Sequence, residues 1–487
     1  MSGSSDRVPS GIPGVDEILH GGFVPQQTFL LVGAPGTGKT IFAVQWLRDG
    51  VARGERCLLL SLAVPPERIA RNVACFGWSL EGIEIVDLGP RTEDQAPGEY
   101  EVFPPSEVER TRVWEGIYEA VRGNAPQRLV IDSATQLRFL SADEYQFRKQ
   151  ILALVRFLAE RGCTSLMTFE PSQLERETGV ALAVSGIIHL RLETSPDRVI
   201  GLRSLEVEKF RGSDFHSGRH PMRITSEGIV VFPHIMEQVV ASSQSGEQLR
   251  SGLAELDALL GGGIEVGTAT IISGPTGAGK TTLGMQFLLS AVSSGVPALL
   301  CTFEEPLESI YARCRNLAMG IDAALGDGGL RGLAVSPLQL YPDEFLAVVR
   351  RAVEEEGRRV VMLDSLRGYS LAMEQFGSLT AHVQNLVAYL RRNGVTAFLV
   401  NEIERLTGDL MLTELGISYI ADNILLLRFC EQEGKVVKVV ACVKKRLGGF
   451  QPELRELRLT DQGVAIGPKL GHLRGVLTGI PHAAPRP

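Results

Sequence analysis

Gly33-Ala34-Pro35-Gly36-Thr37-Gly38-Lys39-Thr40 and Gly274-Pro275-Thr276-Gly277-Ala278-Gly279-Lys280-Thr281 both satisfy the spacing G-x-x-x-x-G-K-[ST]. In such a loop the glycines let successive backbone N–H groups wrap a phosphate. The lysine reaches the terminal phosphates, and the threonine hydroxyl can ligate Mg2+. Each loop follows an apolar run, Thr28-Phe29-Leu30-Leu31-Val32 or Ala269-Thr270-Ile271-Ile272-Ser273, and opens a helical pattern. Strand, loop and helix in that order are the context a phosphate-binding loop needs. Two full matches in one chain predict two nucleotide sites, each able to take Mg2+.

The carboxylates divide the two sites. Asp132 and Asp364 each close an apolar run and are each followed by serine. That is the place of a Mg2+ ligand beside Thr40 and Thr281, respectively. An attacking water or hydroxyl must also lose its proton to a nearby base, and a carboxylate at the end of the neighbouring strand can accept it. Glu304-Glu305 follow Leu299-Leu300-Cys301-Thr302-Phe303 and fill that role in the second half. The equivalent strand of the first half ends Ser61-Leu62-Ala63-Val64. Downstream, Pro66-Glu67-Arg68-Ile69 answers Leu307-Glu308-Ser309-Ile310, so Ala63 and Val64 stand where the glutamates should be. Neither side chain accepts a proton. The expectation is chemistry at the Lys280 site and nucleotide holding at the Lys39 site.

Basic residues recur late in each half: Lys209-Phe210-Arg211-Gly212 and Lys444-Lys445-Arg446-Leu447. Equivalent placement in both copies suggests γ-phosphate contacts made in trans by Lys209, Arg211, Lys444 and Arg446, as arginine fingers make them. That role requires an oligomeric ring or filament.

These residues must be positioned by a duplicated fold. Ser10-Gly11-Ile12-Pro13-Gly14-Val15-Asp16 returns as Ser251-Gly252-Leu253-Ala254-Glu255-Leu256-Asp257, and Lys39 returns as Lys280, both at an offset of 241 (251 − 10 and 280 − 39). A repeat of that period marks a tandem duplication. The small polar stretch Ala241-Ser242-Ser243-Gln244-Ser245-Gly246 has linker composition. The expected organisation is a flexible lead-in at 1–9, one domain at 10–240, a linker at 241–250, a second domain at 251–468 and a tail at 469–487. Within each half, apolar runs alternate with helical patterns, which predicts a mostly parallel α/β sheet flanked by helices. The runs are Arg56–Leu62, Arg128–Asp132, Thr164–Thr168 and Gly186–Leu190 in the first half. Those of the second are Ala298–Phe303, Arg359–Asp364, Ala397–Val400 and Asn423–Leu427. Polar/apolar alternation over Ser204–Phe210 and Lys435–Lys444 adds a late antiparallel hairpin to each.

Composition limits the alternatives. The chain is 44% apolar and 22% charged, as a globular protein is. Its net charge of -8 gives no whole-chain footprint for nucleic acid. The seven cysteines are scattered without a C-x-x-C pair, which points to reduced buried thiols in a cytoplasmic protein. No apolar run spans a bilayer, and Met1-Ser2-Gly3-Ser4-Ser5-Asp6 lacks the apolar core of an export signal.

Taken together, the S-G opening before each loop, the paired glutamates, the Asp-Ser strand ends and the late K-x-R resemble the KaiC family of double-domain RecA-like ATPases. Phe76-Gly77-Trp78 is similar to that family's first domain, and the resemblance runs from Ser10 to about Gly479. It implies two tandem RecA-like P-loop NTPase domains, a two-tiered hexameric ring and ATP held between neighbouring subunits. It further implies ATPase activity, serine/threonine autokinase activity in the second domain and signalling partners that are KaiB-like or histidine kinases. Gly416-Ile417-Ser418-Tyr419-Ile420-Ala421-Asp422 aligns with the family's adjacent Ser-Thr phosphosite. Ser418 matches the serine, Tyr419 replaces the threonine, and Thr413 matches a nearby family threonine. One acceptor is therefore expected rather than two, and Ala63 and Val64 depart from the family's first-domain glutamates. Leu473–Pro481 is similar to the family's C-terminal segment, followed by a short Pro-rich end. Fold alone leaves a recombinase-type DNA-binding ATPase open. Its candidate loops, Gln136–Phe139 and Leu366–Tyr369, carry one arginine and one aromatic each.

Overall fold

A computed structural model describes residues 7–89, 107–141, 143–171, 178–194, 201–235, 246–336, 341–373, 378–403, 417–432, 434–470, 473–474 and 482–483. The chain divides into two compact units, Met1–Ile235 and Met236–Pro487. Residues 241–245 of the expected linker, Thr413 and most of the tail lie outside the described residues. Within the expected lead-in, Val8 donates its N–H to the Phe23 carbonyl at 2.9 Å.

Strands of the first unit are β1 Thr28–Gly33, β2 Cys57–Ser61, β3 Ile83–Asp87, β4 Arg128–Asp132, β5 Thr164–Phe169, β6 Gly186–Thr194, β7 Gly201–Phe210, β8 Arg219–Thr225 and β9 Gly228–Val231. They form one nine-stranded sheet in the order β3-β2-β4-β5-β1-β6-β7-β8-β9. Every residue of β1, β2, β4 and β5 is buried, which is why these segments read as unbroken apolar runs. The second unit begins with a two-residue ribbon, β10 Gln248–Leu249 with β11 Ile264–Glu265. It then builds β12 Ala269–Gly274, β13 Ala298–Thr302, β14 Leu330–Ala334, β15 Val360–Asp364, β16 Thr396–Glu402, β17 Asn423–Gln432, β18 Lys435–Lys445, β19 Arg455–Thr460 and β20 Gly463–Lys469. Its sheet repeats the order, β14-β13-β15-β16-β12-β17-β18-β19-β20. These are the two mostly parallel sheets that the patterns predict, arranged as the resemblance to RecA-like domains implies.

Two details extend the sequence reading. The late hairpin of each half is the start of a longer antiparallel extension, β6 to β9 and β17 to β20. Alternation is read only over Ser204–Phe210 and Lys435–Lys444, so the later antiparallel strands are added by the structure. Register then fixes the sites. Ser61 pairs with Asp132 and Thr302 with Asp364, so the ends of β2 and β13 sit directly beside the strand ends bearing the aspartates.

The repeated S-G opening is a structural clasp. Ser10 and Ser251 each donate a backbone N–H to the carboxylate of Asp16 or Asp257 at 2.7 Å. The same serines' Oγ atoms accept from the N–H of Ile12 or Leu253 at 3.1 Å. Gly11 and Gly252 turn the chain at φ 66° and 79°, where a side chain would be strained. This motif therefore carries fold, not chemistry.

One difference between the units lies under β4. Arg128 is fully buried, ion-pairs with Glu55, meets Asp49 Oδ2 at 3.1 Å and donates to the Trp46 carbonyl at 2.8 Å. At the equivalent positions the second unit has Val360, Val296 and Ser290 (360 − 128 is 232; 296 − 55 and 290 − 49 are 241).

Candidate nucleotide sites

Both phosphate loops have the backbone their sequences require. Gly36 and Gly38 lie at φ 83° and 108°, and Gly277 and Gly279 at 79° and 100°, a region open to glycine at no steric cost. Helices Lys39–Ala52 and Lys280–Ser293 start at once, so their unpaired N–H groups and positive dipole ends face the loops. Lys39 Nζ donates to the Gly33 carbonyl at 2.5 Å and the Ala34 carbonyl at 3.2 Å. Lys280 Nζ donates to the Pro275 carbonyl at 2.9 Å. Burial pulls both ammonium groups below their usual range, opposed by Asp132 and Glu170 at Lys39 and by Glu402, Asp364 and Glu304 at Lys280.

Each aspartate lies beside its loop threonine. Thr40 Oγ1 donates to Asp132 Oδ2 at 2.7 Å, and Thr168 Oγ1 donates to Oδ1 at 2.6 Å. Thr281 hydrogen-bonds to Asp364, whose carboxyl burial nevertheless pushes up to about 6. A buried carboxyl pressed toward neutrality is a group that an added cation would return to its charged form. Among the described residues no cluster of three or more His, Cys, Asp or Glu could hold a metal. A hydroxyl and one carboxylate, completed by phosphate and water oxygens, is the manner in which Mg2+ is usually held. The residues present therefore fit Mg2+ brought with a nucleotide.

Lys280, Thr281, Asp364, Glu304, Glu305 and Glu402 line a single cleft of about 400 Å3. Its two adjacent glutamates are not alike. Glu304 Oε2 accepts from Ser365 Oγ at 3.1 Å, which holds it against the aspartate strand end. Glu305 is ion-paired with Arg313 of helix Leu307–Asn316. Glu304 lies across Gly368, where an added Cβ would come within 2.9 Å of Glu304 Cγ and 2.6 Å of Phe303 Cβ. Gln136 occupies the equivalent place in the first unit (368 − 136 is 232), and Ala63 that of Glu304 (304 − 63 is 241). Gly368→Ala should displace Glu304 and lower ATP turnover by about 10-fold or more, since small misplacements at a reacting centre are costly. Steady-state ATPase assays check this, and unchanged turnover would show that Glu304 need not lie there.

The turn bearing the glutamates persists in the first unit without them. Thr302 Oγ1 donates to the Glu305 carbonyl at 2.6 Å, and Ser61 Oγ donates to the Val64 carbonyl at 2.5 Å. The Lys39 site is not devoid of carboxylate, however. Glu170 follows β5 and acts electrostatically on Lys39, as Glu402 at the end of β16 acts on Lys280. Glu402 also accepts from Thr276 Oγ1 of the loop. The sequence reading passed over both glutamates, although they match at the offset of the aspartates (402 − 170 and 364 − 132 are both 232).

Of the hairpin cations predicted to contact γ-phosphates, neither Lys444 nor Arg446 lies in the Lys280 cleft of its own chain. Lys209 Nζ donates to the Ala181 and Val184 carbonyls at 2.6 and 2.7 Å. Lys444 Nζ repeats this with the Ser418 and Ala421 carbonyls at 2.9 and 2.7 Å. Arg446 is half-exposed and meets Asp422 at 3.4 Å, while Arg211 donates its backbone N–H to the Ser185 carbonyl at 2.7 Å. Alternation along β18 sends Lys445 to the other face, where it is buried against Glu265 at 2.8 Å. The Ser418 residue is half-buried, next to an exposed Tyr419.

Comparison with known proteins agrees over almost the whole chain. The family described as the KaiC ATPase matches residues 8–235 and again 249–471. A circadian clock protein KaiC3 from Synechocystis sp. is 26% identical over 493 residues, covering 98% of this chain and 94% of that protein. The circadian clock oscillator protein KaiC of Prochlorococcus marinus subsp. pastoris is 28% identical over 496 residues, with coverage of 98% and 94%. That of Thermosynechococcus vestitus is 27% identical over 488 residues, with coverage of 98% and 92%.

Proposed function

The chain belongs to the KaiC ATPase family, and on that premise we propose that its two nucleotide sites divide the work. The second unit hydrolyses ATP and the first mainly holds it. One observation carries this: Glu304 is fixed beside Asp364 in the cleft of Lys280, while the same turn in the first unit presents Ala63 and Val64. The loop Gly274 to Thr281 wraps the phosphates, and Lys280 meets their terminal oxygens. Thr281 and Asp364 would hold Mg2+, which neutralises charge on the phosphates when bound. Glu304 accepts the proton of the attacking hydroxyl. Across a subunit interface, Lys444 and Arg446 contribute cationic contacts to the transferring group. In the first unit Lys39, Thr40 and Asp132 bind ATP, with Lys209 and Arg211 reaching the neighbouring site. ATP bound only in the assembled ring stabilises that ring.

Ser418 is the favoured phosphoacceptor and Thr413 the second candidate. In autophosphorylation the Ser418 oxygen forms the new bond to the γ-phosphorus, its proton passes to Glu304, and ADP leaves. The clock-protein names of the relatives support a signalling output, and a KaiB-like protein or a histidine kinase would read it. A recombinase-type function draws less support: Phe139 of one candidate loop is exposed, but Tyr369 of the other is 1% exposed and packs on Phe303 and Phe345, where it cannot stack on a base. Mass spectrometry after incubation with Mg-ATP tests the proposal: a native mass of six chains and one phosphate per chain at Ser418 are expected. An unphosphorylated chain would remove the kinase activity, and a monomer would remove the trans contacts.

A further inference from the structure

The Lys280 cleft contains a cation for which no loop motif calls. Arg313 stands on helix Leu307–Asn316, lines the cleft and ion-pairs with Glu305. Burial raises the Asp364 carboxyl and lowers the Lys438 ammonium on β18, and the Arg313 charge opposes the first shift and adds to the second. The two partners are about one-third exposed, 38% for Arg313 and 32% for Glu305. A pair that open is weak and easily exchanged for a better anion.

Comparing the units gives the pair a meaning. Glu305 corresponds to Val64, and Arg313 corresponds to Asn72 (305 − 64 and 313 − 72 are both 241). The first unit lacks the carboxylate and the guanidinium together. A cation needed only to bind phosphate would be useful at both sites. A cation whose task is to manage Glu305 is needed only where Glu305 exists. The guanidinium fork suits both anions concerned, since it binds carboxylate and phosphate in the same bidentate geometry.

We propose that Arg313 is a positioning residue that holds Glu305 in the nucleotide-free cleft and passes its grip to the ATP polyphosphate on loading. This rests on the nucleotide reading of the cleft. Glu305 then competes with ATP for one guanidinium, and Glu304 remains beside Asp364 throughout. The exchange makes the removal of Glu305 favourable for nucleotide binding only while Arg313 is present.

Binding of a non-hydrolysable ATP analogue with Mg2+ to the full chain tests this in a double-mutant cycle. Glu305→Gln should tighten binding about 10-fold in the natural background, because Arg313 is released to the phosphates. Arg313→Gln should weaken it about 10-fold, and Glu305→Gln should then change it by less than about 2-fold. A Glu305→Gln effect equal in both backgrounds, the result of simple charge repulsion, would overturn the exchange while leaving the nucleotide site intact. A natural chain that binds no analogue would remove the nucleotide reading and the exchange with it.

Discussion

Glu304→Gln will lower steady-state ATP turnover of the full chain by about 10²-fold or more, the usual contribution of a positioned general base. Glutamine keeps the size and the hydrogen bond to Ser365 but cannot take a proton, so the loss isolates the chemical role. Glu305→Gln should cost at least about 10-fold less than Glu304→Gln, because the Glu305 carboxylate is turned to Arg313 rather than to the aspartate strand end. The control is Glu170→Gln, which removes a carboxylate that, after Asp132, acts electrostatically on the first loop lysine. If the second unit does the chemistry, that variant keeps turnover within about 2-fold. Full activity in Glu304→Gln, or collapse in Glu170→Gln, would move the reaction to the other site. Either result would dissolve the division of labour read from Ala63 and Val64.

The second large effect concerns stability. Arg128→Val should destabilise the first unit by about 1–3 kcal/mol, because Glu55 would lose the buried guanidinium that pairs with it while the partly exposed Asp49 keeps Arg53. The molecule itself suggests the rescue. Its second unit fills the equivalent positions with Val360, Ser290 and Val296. Exchanging the whole set, Asp49→Ser with Glu55→Val and Arg128→Val, should restore stability to within about 1 kcal/mol, since a packed apolar replacement often equals a buried ion network. Urea unfolding followed by tryptophan emission reads the first unit selectively, because Trp46, Trp78 and Trp114, all three tryptophans of the chain, lie in it. A single variant costing under 1 kcal/mol, or a triple variant as weak as the single, would show that the network is not what holds β4 in place.

What the sequence disclosed follows from the range of each signal. The phosphate loops are eight contiguous residues, and their glycines report backbone geometry directly. The strand-end aspartates and Glu304-Glu305 are legible because each follows a fully buried strand, whose apolar run is unmistakable. The different partners of Glu304 and Glu305 were not legible. They depend on Arg313, one helix later, and on Gly368, across the sheet, and neither stands in a recognisable pattern. Glu170 and Glu402 escaped for a different reason: a lone glutamate after an apolar strand is ordinary turn chemistry until its loop lysine is brought beside it. The hairpin cations show the limit in the opposite sense. Their spacing is visible, yet only the folded chain shows that Lys444 and Lys209 grip carbonyls within it and that Lys445 turns inward.

That grip has a thermodynamic meaning. An ammonium carries three N–H donors. Two on Lys209 and two on Lys444 are committed to carbonyls, so each side chain keeps one proton to offer elsewhere. A free lysine gives up about 2 kcal/mol of rotamer entropy when it is immobilised. Here that loss is taken on folding, before any neighbour arrives. Each lysine is thus a stiff single-proton probe rather than a roaming charge, and for Lys444 the Ser418 carbonyl is one of the two points that set its aim.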